Sequence, residues 1–412
     1  MKWLTEEEIN NFLNLYDFDI RKIGSARWID QKCTPDVLCT ISDCIIEYVS
    51  SNPSNEWFNS IDIWHNQYTI NYVESVYKKP NLDEKKARNE YDKFFSQPLE
   101  MLAYAHVLEK DKRGNRNFYK ICNMDLLYYI SIREMNALRF INLYNQKVLK
   151  DSGIYWYFEK FFENPNPETY NRVKSIFSSF TKKYTPINID TECNRIFTKV
   201  INPIAFMKHT YGTEHGRVSR EIITLDELMY NRANFRDIYL GKPKGVTRKE
   251  YLSTLKETPN ENLIKYQSAK AKKLLRKFND IFNDGKSEVI DAHAIGKAIN
   301  MHHIFPENEF RELSGYIENI IALTPNQHFI EAHPNGNTQI IDLAFQQVCL
   351  ISKSLSIEKN LKGPEEQIIY SFNKFKYVLS TGLDNDSFNE IEDLDFKEII
   401  REINVCYLKK EI

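Results

Sequence analysis

Two adjacent histidines, His302 and His303, lie in the apolar segment INMHHIFPENEF at residues 299–310. Neighbouring residues of a β-strand point to opposite faces of the sheet, so a strand here would carry one imidazole on each side. One ring could bind a metal ion while the other accepts a proton, and histidine performs both tasks in hydrolytic sites. The alternative is structural, with one ring in the core and the other in solvent.

Other histidines cluster around this pair. The chain has nine histidines, and five of them fall within 41 residues. These five are His293, His302, His303, His328 and His333. Residues 296–306 and 318–324 have the composition of strands, and Thr324 followed by Pro325 is a strong helix start. The pattern therefore predicts a strand, a loop, a second strand and a helix.

This unit resembles the HNH nuclease motif of the ββα-metal fold, over about 50 residues from position 290 to position 340. The match has the form HHxxP … N … TPxxH. The matching residues are His302, His303, Pro306, Asn319 and His328. The spacing is similar to that of colicin-type DNases, in which a histidine pair is followed by an asparagine and by a helix that starts with Thr-Pro. The resemblance implies metal-dependent hydrolysis of phosphodiester bonds.

The resemblance also implies a role for each matching residue. His302 and His328 would bind the metal ion, and His303 would be the general base that deprotonates the attacking water. Asn319 would be the second catalytic residue, because it would fix the geometry between strand and loop and orient His303. Phosphodiester hydrolysis needs this arrangement, since a cation and a base must flank the phosphate.

His333 is a further candidate metal ligand. In the colicin-type pattern another histidine lies four residues after the helix ligand, and here that position is Ala332. Five residues of an α-helix turn a side chain about 140° away from the first one. Pro334 discourages helical geometry at His333, so the chain could leave the helix there and bring the imidazole back. The alternative for His333 is a capping or phosphate-contacting role, and His293 is assigned a structural role.

The metal implied by the resemblance is one divalent ion, Mg²⁺, with Mn²⁺ as a substitute. Imidazole ligands also suit Ni²⁺, Co²⁺ and Zn²⁺, whereas Mg²⁺ prefers oxygen ligands and keeps several waters. Seven cysteines are scattered along the chain without a C-x-x-C pair. This pattern argues against a disulfide framework and a four-cysteine zinc site, so we expect reduced and mostly buried thiols.

Two basic segments are candidates for contact with DNA. Residues 107–121 follow a helix and predict a basic β-hairpin. The helix and the hairpin together make a winged-helix pattern, in which Arg113 and Arg116 would reach phosphates. Residues 208–277 contain sixteen Lys and Arg and about half as many acidic residues, and we expect their loop-rich part, 201–250, to read bases. Its candidate DNA-binding residues are Arg217, Arg220, Arg232, Arg236, Lys242 and Lys244. The alternative is a charged surface that serves solubility alone.

The predicted fold class is α+β and mostly helical. We expect a winged-helix-like DNA-binding domain at 1–125, a helical and basic recognition and linker region at 126–285, an HNH nuclease domain at 286–345 and a helical extension at 346–412. The chain contains no run of eighteen apolar residues, which predicts no membrane span. The N-terminus lacks the apolar core of a signal peptide, so we expect a cytoplasmic bacterial protein.

The combination of these parts resembles type II restriction endonucleases of the HNH class. It implies sequence-specific cleavage of double-stranded DNA, with a cognate DNA methyltransferase in the same system but not as a stable partner. A single HNH unit cuts one strand at a time, so a palindromic site would favour a homodimer. Two alternatives stay open at this point. One is a nuclease that depends on modified DNA, and the other is a DNA-binding regulator whose HNH unit is inactive.

Overall fold

The protein divides into two compact units, Met1–Glu257 and Thr258–Ile412. A computed structural model describes residues 2–23, 27–77, 79, 87–230, 261–333 and 341–408. Helices dominate these residues and the strands are few and short, so the predicted mostly helical α+β character is confirmed. The finer division into four regions stays a prediction. Among the described residues, no helix is long and apolar enough to cross a membrane.

The described part of the first unit contains twelve helices. They are α1 (Glu6–Leu13), α2 (Ile20–Ile23), α3 (Pro35–Ser51), α4 (Ser60–Trp64), α5 (Gln67–Tyr77), α6 (Ala87–Tyr104), α7 (Met124–Ile132), α8 (Glu134–Asp151), α9 (Tyr155–Glu163), α10 (Pro167–Tyr184), α11 (Asp190–Met207) and α12 (Leu225–Leu228). Helix α3 begins at Pro35. The N–H of the first helical residue has no partner within the helix, so proline, which lacks this N–H, is favoured there. Its residues 35–45 are all buried, so α3 forms a central part of the core.

A small antiparallel sheet lies within the same unit. Its strands are β1 (Phe58–Asn59), β2 (Leu108–Arg113) and β3 (Arg116–Ile121), in the order β1–β3–β2. Strands β2 and β3 form the predicted hairpin, with Arg113 opposite Arg116. Gly114 occupies the turn with φ +60°, a conformation that glycine adopts without strain.

The stretch from 201 to 230 is more regular than its composition suggests. Helix α11 continues to Met207, and β4 (Tyr211–Glu214) pairs with β5 (Arg217–Ile222) in a second hairpin. His215 and Gly216 both have positive φ, +48° and +80°, and two such residues make the tight turn that fits the twist of a hairpin. The expectation of a loop-rich stretch was wrong here, and residues 231–250 lie outside the described residues.

The second unit is built around a pair of short strands. Its elements are α13 (Glu261–Phe282), β6 (Asn300–His303), β7 (Ile320–Leu323), a π-helix (Gln327–Ala332), α14 (Leu343–Leu361), α15 (Phe372–Leu383), α16 (Ser387–Glu390) and α17 (Phe396–Leu408). Single 3₁₀ turns lie at Arg311–Leu313, Ile317–Asn319 and Glu365–Gln367. Strands β6 and β7 are antiparallel, with His302 opposite Ile321 and His303 opposite Ile320. All four residues of β7 are buried, so this strand lies in the centre of the unit.

One hydrophobic core joins the strand pair to the helices of the second unit. Leu275 of α13, Ile321 of β7, Leu350 of α14 and Phe375 of α15 belong to the same buried cluster. Helix α13 was expected to be a linker, but it packs against β7 as an integral element of this unit. The strand pair therefore has a rigid support, which a site built on its side chains requires.

A buried ion pair connects α14 to the segment that borders β7. The Lys353 ammonium lies 3.2 Å from both carboxylate oxygens of Glu288 and donates a 2.8 Å hydrogen bond to the Tyr370 hydroxyl. Glu288 Oε1 also accepts a hydrogen bond of 2.9 Å from the backbone N–H of Ala322. Burial lowers the pKa of Lys353, and the facing carboxylate of Glu288 opposes that shift.

Substitution of Lys353 by Met should destabilise the second unit by about 3–5 kcal/mol, because Glu288 would remain buried without its counter-charge. Lys359 lies on the same helix but is exposed, so Lys359→Met should change the free energy of unfolding by less than about 0.5 kcal/mol. Urea denaturation of both variants measures the difference. Equal effects of the two substitutions would contradict a stabilising role for the buried pair.

Candidate active site

Strand β6 sends its two histidine rings into different environments. The His302 ring faces the π-helix, where its centroid lies 5.2 Å from that of His328 and 5.1 Å from that of His333. The His303 ring faces the other side, where it contacts Ser314 of the loop after the strand and Ser268 of α13. Both side chains are buried. The opposed faces follow from the alternation of side chains along a strand.

His302, His328 and His333 form a compact cluster that could hold a metal ion. One nitrogen from each residue lies within 4.8 Å of the other two, and the rings of His328 and His333 are 4.7 Å apart. Two nitrogens on one ion at about 2.1 Å lie about 3–3.4 Å apart. Small rotations of the rings would therefore close the cluster around an ion.

The π-helix explains how His333 reaches this cluster. In a π-helix the backbone hydrogen bonds join residues five positions apart, whereas those of an α-helix join residues four positions apart. Side chains five positions apart therefore return to nearly the same face, and His328 and His333 meet. His333 ends the π-helix with extended backbone angles, φ −123° and ψ 95°. The expectation of an ordinary helix was wrong for this segment, and one extra residue per turn compensates for the unusual spacing of the two histidines.

Two nitrogens of the cluster have no hydrogen-bonding partner in the described part of the chain. They are Nε2 of His302 and Nδ1 of His328, and both are buried. A buried polar atom without a partner is costly, and a bound cation would satisfy both. Burial, followed by the neighbouring rings and Lys272, lowers the pKa of His302 well below its ordinary value. Burial also lowers the pKa of His328, so both rings are neutral at pH 7, as metal ligands must be.

His303 is held in one tautomer by a backbone carbonyl. Its Nε2 lies 3.0 Å from the carbonyl oxygen of Ser314, and since a carbonyl can only accept, the proton of the neutral ring must be on Nε2. The lone pair is then on Nδ1, which lies 3.8 Å from a carboxylate oxygen of Glu307. Burial and the nearby Lys272 lower the pKa of His303 to about 4, although Ser314 and Glu307 oppose this shift.

Asn319 fixes the loop that supplies this carbonyl. Its Oδ1 accepts a hydrogen bond of 2.9 Å from the backbone N–H of Phe305, and its amide group donates to the carbonyl oxygens of Phe305 at 3.0 Å and Leu313 at 3.3 Å. Leu313 directly precedes Ser314, so the asparagine holds both ends of the loop after β6. The structure places the Asn319 amide on this loop backbone, where it can position His303 indirectly.

Lys272 is the important residue of the site that sequence reasoning missed. Its charge influences the histidines on both faces of β6, and burial lowers its own pKa while Glu307 opposes that shift. Together with Arg276 and His328 it lines a cavity of about 430 Å³. The signal was present in the basic helix, because positions 272 and 276 are four residues apart and share one face.

The other predicted site residues lie in the first unit or outside the described residues. Arg113 bonds Asp111 at 2.8 Å and lies over the Trp57 ring, so part of the charge of the first hairpin is already paired. Arg116, Arg217 and Arg220 are exposed on strands. Arg232, Arg236, Lys242 and Lys244 lie outside the described residues. DNA contact by any of these side chains stays a prediction.

His293 is the fifth histidine of the predicted cluster, and it is not a member of the three-histidine group. Its Nε2 is 3.0 Å from a carboxylate oxygen of Glu331, and its backbone carbonyl accepts a 2.8 Å hydrogen bond from the Thr324 hydroxyl. The hydroxyl of Thr324 also accepts from the N–H of Gln327 at 3.2 Å, which is the predicted capping role. These contacts agree with a structural role for His293 at the start of the π-helix.

Comparison with family models, with curated proteins and with solved structures found no match. The interpretation of the site therefore depends on the geometry of its own residues.

Removal of the His333 imidazole should weaken binding of Zn²⁺ by at least about tenfold, because one of three nitrogen ligands is lost. Zn²⁺ is a suitable probe since it has a strong preference for imidazole. Isothermal titration calorimetry of His333→Ala measures the effect, with His293→Ala as a matched control that should bind as the unchanged protein does. Equal affinities of the His333→Ala variant and the unchanged protein would remove His333 from the ligand set.

The stability of the metal-free second unit should fall as the pH is lowered from about 6.5 to about 4. In this pH range the unfolded chain takes up a proton at His303 and the folded chain does not. Protonation therefore favours the unfolded state, and the free energy of unfolding decreases as the pH falls. Above about pH 7 both states are neutral at His303 and no change is expected.

Between about pH 6.5 and pH 4, the free energy of unfolding of the His303→Gln variant should fall by about 1–3 kcal/mol less than that of the unchanged protein. His293→Gln serves as the control because that side chain is partly exposed and lies in the same unit. Urea denaturation in EDTA at several pH values tests the prediction. An unchanged pH dependence in His303→Gln would show that His303 does not resist protonation in the folded state.

Proposed function

We propose that this protein is a metal-dependent DNA endonuclease whose second unit contains an HNH site of the ββα-metal type. The observation that carries the proposal is the separation of two adjacent rings into two environments. His302 belongs to the three-histidine cluster, and His303 turns an unprotonated nitrogen away from the Ser314 carbonyl that holds it. Phosphodiester hydrolysis needs a cation and a base beside one phosphate, and in this proposal the two rings of β6 supply one role each.

The donor set fits one divalent ion held by His302, His328 and His333. When bound, such an ion supplies positive charge that stabilises the negative charge developing on the phosphate. We propose Mg²⁺ as the ion in the cell and Mn²⁺ as a substitute. Three imidazoles suit Mn²⁺ at least as well as Mg²⁺, which prefers oxygen ligands, so activity should extend beyond Mg²⁺.

His303 acts in this proposal as the general base. Its Nδ1 accepts the proton of the attacking water, and the resulting positive charge is shared with the Ser314 carbonyl through the bond from Nε2. A pKa of about 4 is low for a base at neutral pH. Binding of a phosphodiester would bring a negative charge close to the ring and raise this pKa, so the base would become stronger only when substrate is present.

The cavity beside His328 supports a binding place for the phosphate. Lys272, Lys273 and Arg276 contribute three cationic side chains to its lining, and no acidic residue is among the described lining residues. Asn300 also lines this cavity, and its side-chain nitrogen is buried without a partner within the described chain. A cluster of this composition attracts a phosphate and orients it by hydrogen bonds.

The first unit supports a role in DNA recognition. A three-stranded antiparallel sheet whose last two strands form an exposed basic hairpin after a helix is consistent with a winged helix. Arg116 on this hairpin and Arg217 and Arg220 on the second hairpin are exposed and could reach phosphates. We therefore propose a type II restriction endonuclease that acts on double-stranded DNA, as a homodimer on palindromic sites, beside a cognate methyltransferase.

Cleavage of supercoiled plasmid in Mg²⁺ tests this proposal. His303→Ala should lower the cleavage rate by about 10²–10⁴-fold, because the base is lost, while DNA binding in EDTA should be unchanged. His293→Ala is the matched control and should cleave at the rate of the unchanged protein. The rate is followed by gel electrophoresis of nicked and linear products.

The pattern of products distinguishes the remaining interpretations. Unmodified phage DNA should give discrete fragments, whereas a smear would indicate a non-specific nuclease. Cleavage of methylated DNA alone would favour dependence on modification. Full cleavage by His303→Ala would contradict the assigned base, and binding without cleavage in Mg²⁺ or Mn²⁺ would leave only a DNA-binding protein.

A further inference from the structure

A polar cavity of about 440 Å³ lies beside the turn of the first hairpin, far along the chain from the histidine cluster. Its wall comes from the end of β1, from α4, from α6, and from the turn and the second strand of the hairpin. Its volume lies within the range of about 300–1,000 Å³ that is common for small-molecule sites. Nothing in the proposed hydrolytic mechanism uses this cavity, so it needs an explanation of its own.

Polar side chains are arranged along one face of α6 toward the cavity. Asn89, Asp92 and Ser96 all line it, and their spacing of three and four residues places them on the same side of the helix. Asn115 and Arg116 contribute from the hairpin turn. This wall offers amide, carboxylate, hydroxyl and guanidinium groups, which together can both donate and accept hydrogen bonds.

Asn89, Asp92, Asn115 and Arg116 are exposed, so their polar groups are open to solvent and to a ligand. Asn89, Asp92 and Asn115 make no side-chain hydrogen bond or ion pair within the described ranges. Trp64 also lines the cavity, and its indole N–H is buried without a partner in the same ranges. A cluster of unpaired donors and acceptors in a concave place is typical of a ligand site.

The hairpin side of the cavity is held firmly by Glu100 of α6. One carboxylate oxygen accepts hydrogen bonds from the Tyr119 hydroxyl at 2.6 Å and from the Asn117 amide at 2.9 Å, and the other accepts from Lys110 at 2.8 Å. These three bonds join the hairpin to the helix that carries the polar face. The cavity is therefore preformed, which lowers the entropy cost of binding.

The carboxylate of Asp92 indicates which part of DNA the cavity could accept. A phosphate would be repelled by this charge, whereas an exocyclic amine of cytosine or adenine donates to a carboxylate. Asparagine amides pair with base edges in the same way. Trp64 and Tyr119 also line the cavity, but their rings are buried against other side chains. A base that has left the helical stack would therefore be read here through hydrogen bonds to its edge.

We propose that this cavity binds one unstacked nucleobase of DNA that carries an exocyclic amine, cytosine or adenine, through Asp92, Asn89 and Asn115. The inference rests on the proposed function in so far as DNA is the ligand. It adds a base-recognition site in the first unit, separate from the histidine cluster. Arg116 at the turn would neutralise the phosphate next to the bound base.

The test is a comparison of matched single-stranded oligonucleotides of about twelve nucleotides, measured by fluorescence anisotropy with the full chain in EDTA. Oligodeoxycytidylate is compared with oligodeoxyuridylate, and oligodeoxyadenylate with oligodeoxyinosinate, because each pair differs by exchange of the exocyclic amine for an oxygen. At least one amine-bearing member should bind about tenfold more tightly than its partner. Equal affinities within both pairs would overturn the proposal.

Two variants assign the preference to this cavity. Asp92→Ala and Asn89→Ala should each reduce the preference to less than about twofold, since an amine then loses an acceptor. Binding of oligodeoxyuridylate should be unchanged, because its contacts are to phosphate. Asp125→Ala is the matched control, since Asp125 is an exposed helical aspartate outside the cavity. An unchanged preference in both cavity variants, or an equal loss for all oligonucleotides, would overturn the assignment.

Two further outcomes separate this site from other interpretations. If deoxycytidine or deoxyadenosine monophosphate alone binds as tightly as the oligonucleotide, the ligand is a free nucleotide, and the assignment to DNA is overturned. Since binding in EDTA needs no hydrolysis, a base preference without any cleavage would support this site while the proposed nuclease fails. Cleavage without a base preference would support the proposed nuclease and overturn the base-binding site.

Discussion

The 3.0 Å hydrogen bond from His303 Nε2 to the carbonyl oxygen of Ser314 is the interaction on which the candidate site depends. It places the proton on Nε2 and leaves Nδ1 as an acceptor. It also requires the loop after β6 to return beside the strand, and Asn319 enforces that path through its bonds to Phe305 and Leu313. Because side chains alternate along β6, the same geometry turns His302 toward the π-helix.

Burial and one nearby lysine dominate the electrostatics of the site. Burial keeps His302, His303 and His328 unprotonated, and Lys272 adds positive charge near all three. The ring nitrogens that have no hydrogen bond would be satisfied by a cation, and the lysine would then be balanced by a phosphate. In the proposed function, binding of the ion and of the phosphate would offset the cost of these unsatisfied groups.

Features that depend on short-range sequence patterns could be predicted from the sequence. The histidine pair, the Thr324 cap and the hairpin from 107 to 121 depend on local alternation and turn chemistry, and each is present in the structure. The π-helix could not be predicted in this way. Its wider turn has no distinct amino-acid composition and depends on packing against the rest of the unit. The Ser314 carbonyl carries no side-chain signal, and Lys272 comes close to the histidines only through the tertiary packing of α13 on β7.

Anomalous X-ray diffraction from crystals soaked in Mn²⁺ tests the central claim most directly, that one face of β6 binds an ion and the other face carries the base. The account predicts a single strong peak between His302, His328 and His333, at about 2.0–2.3 Å from their nitrogens, with His303 still bonded to the Ser314 carbonyl. An ion bound by His303, or the absence of any ion at the three histidines, would contradict it.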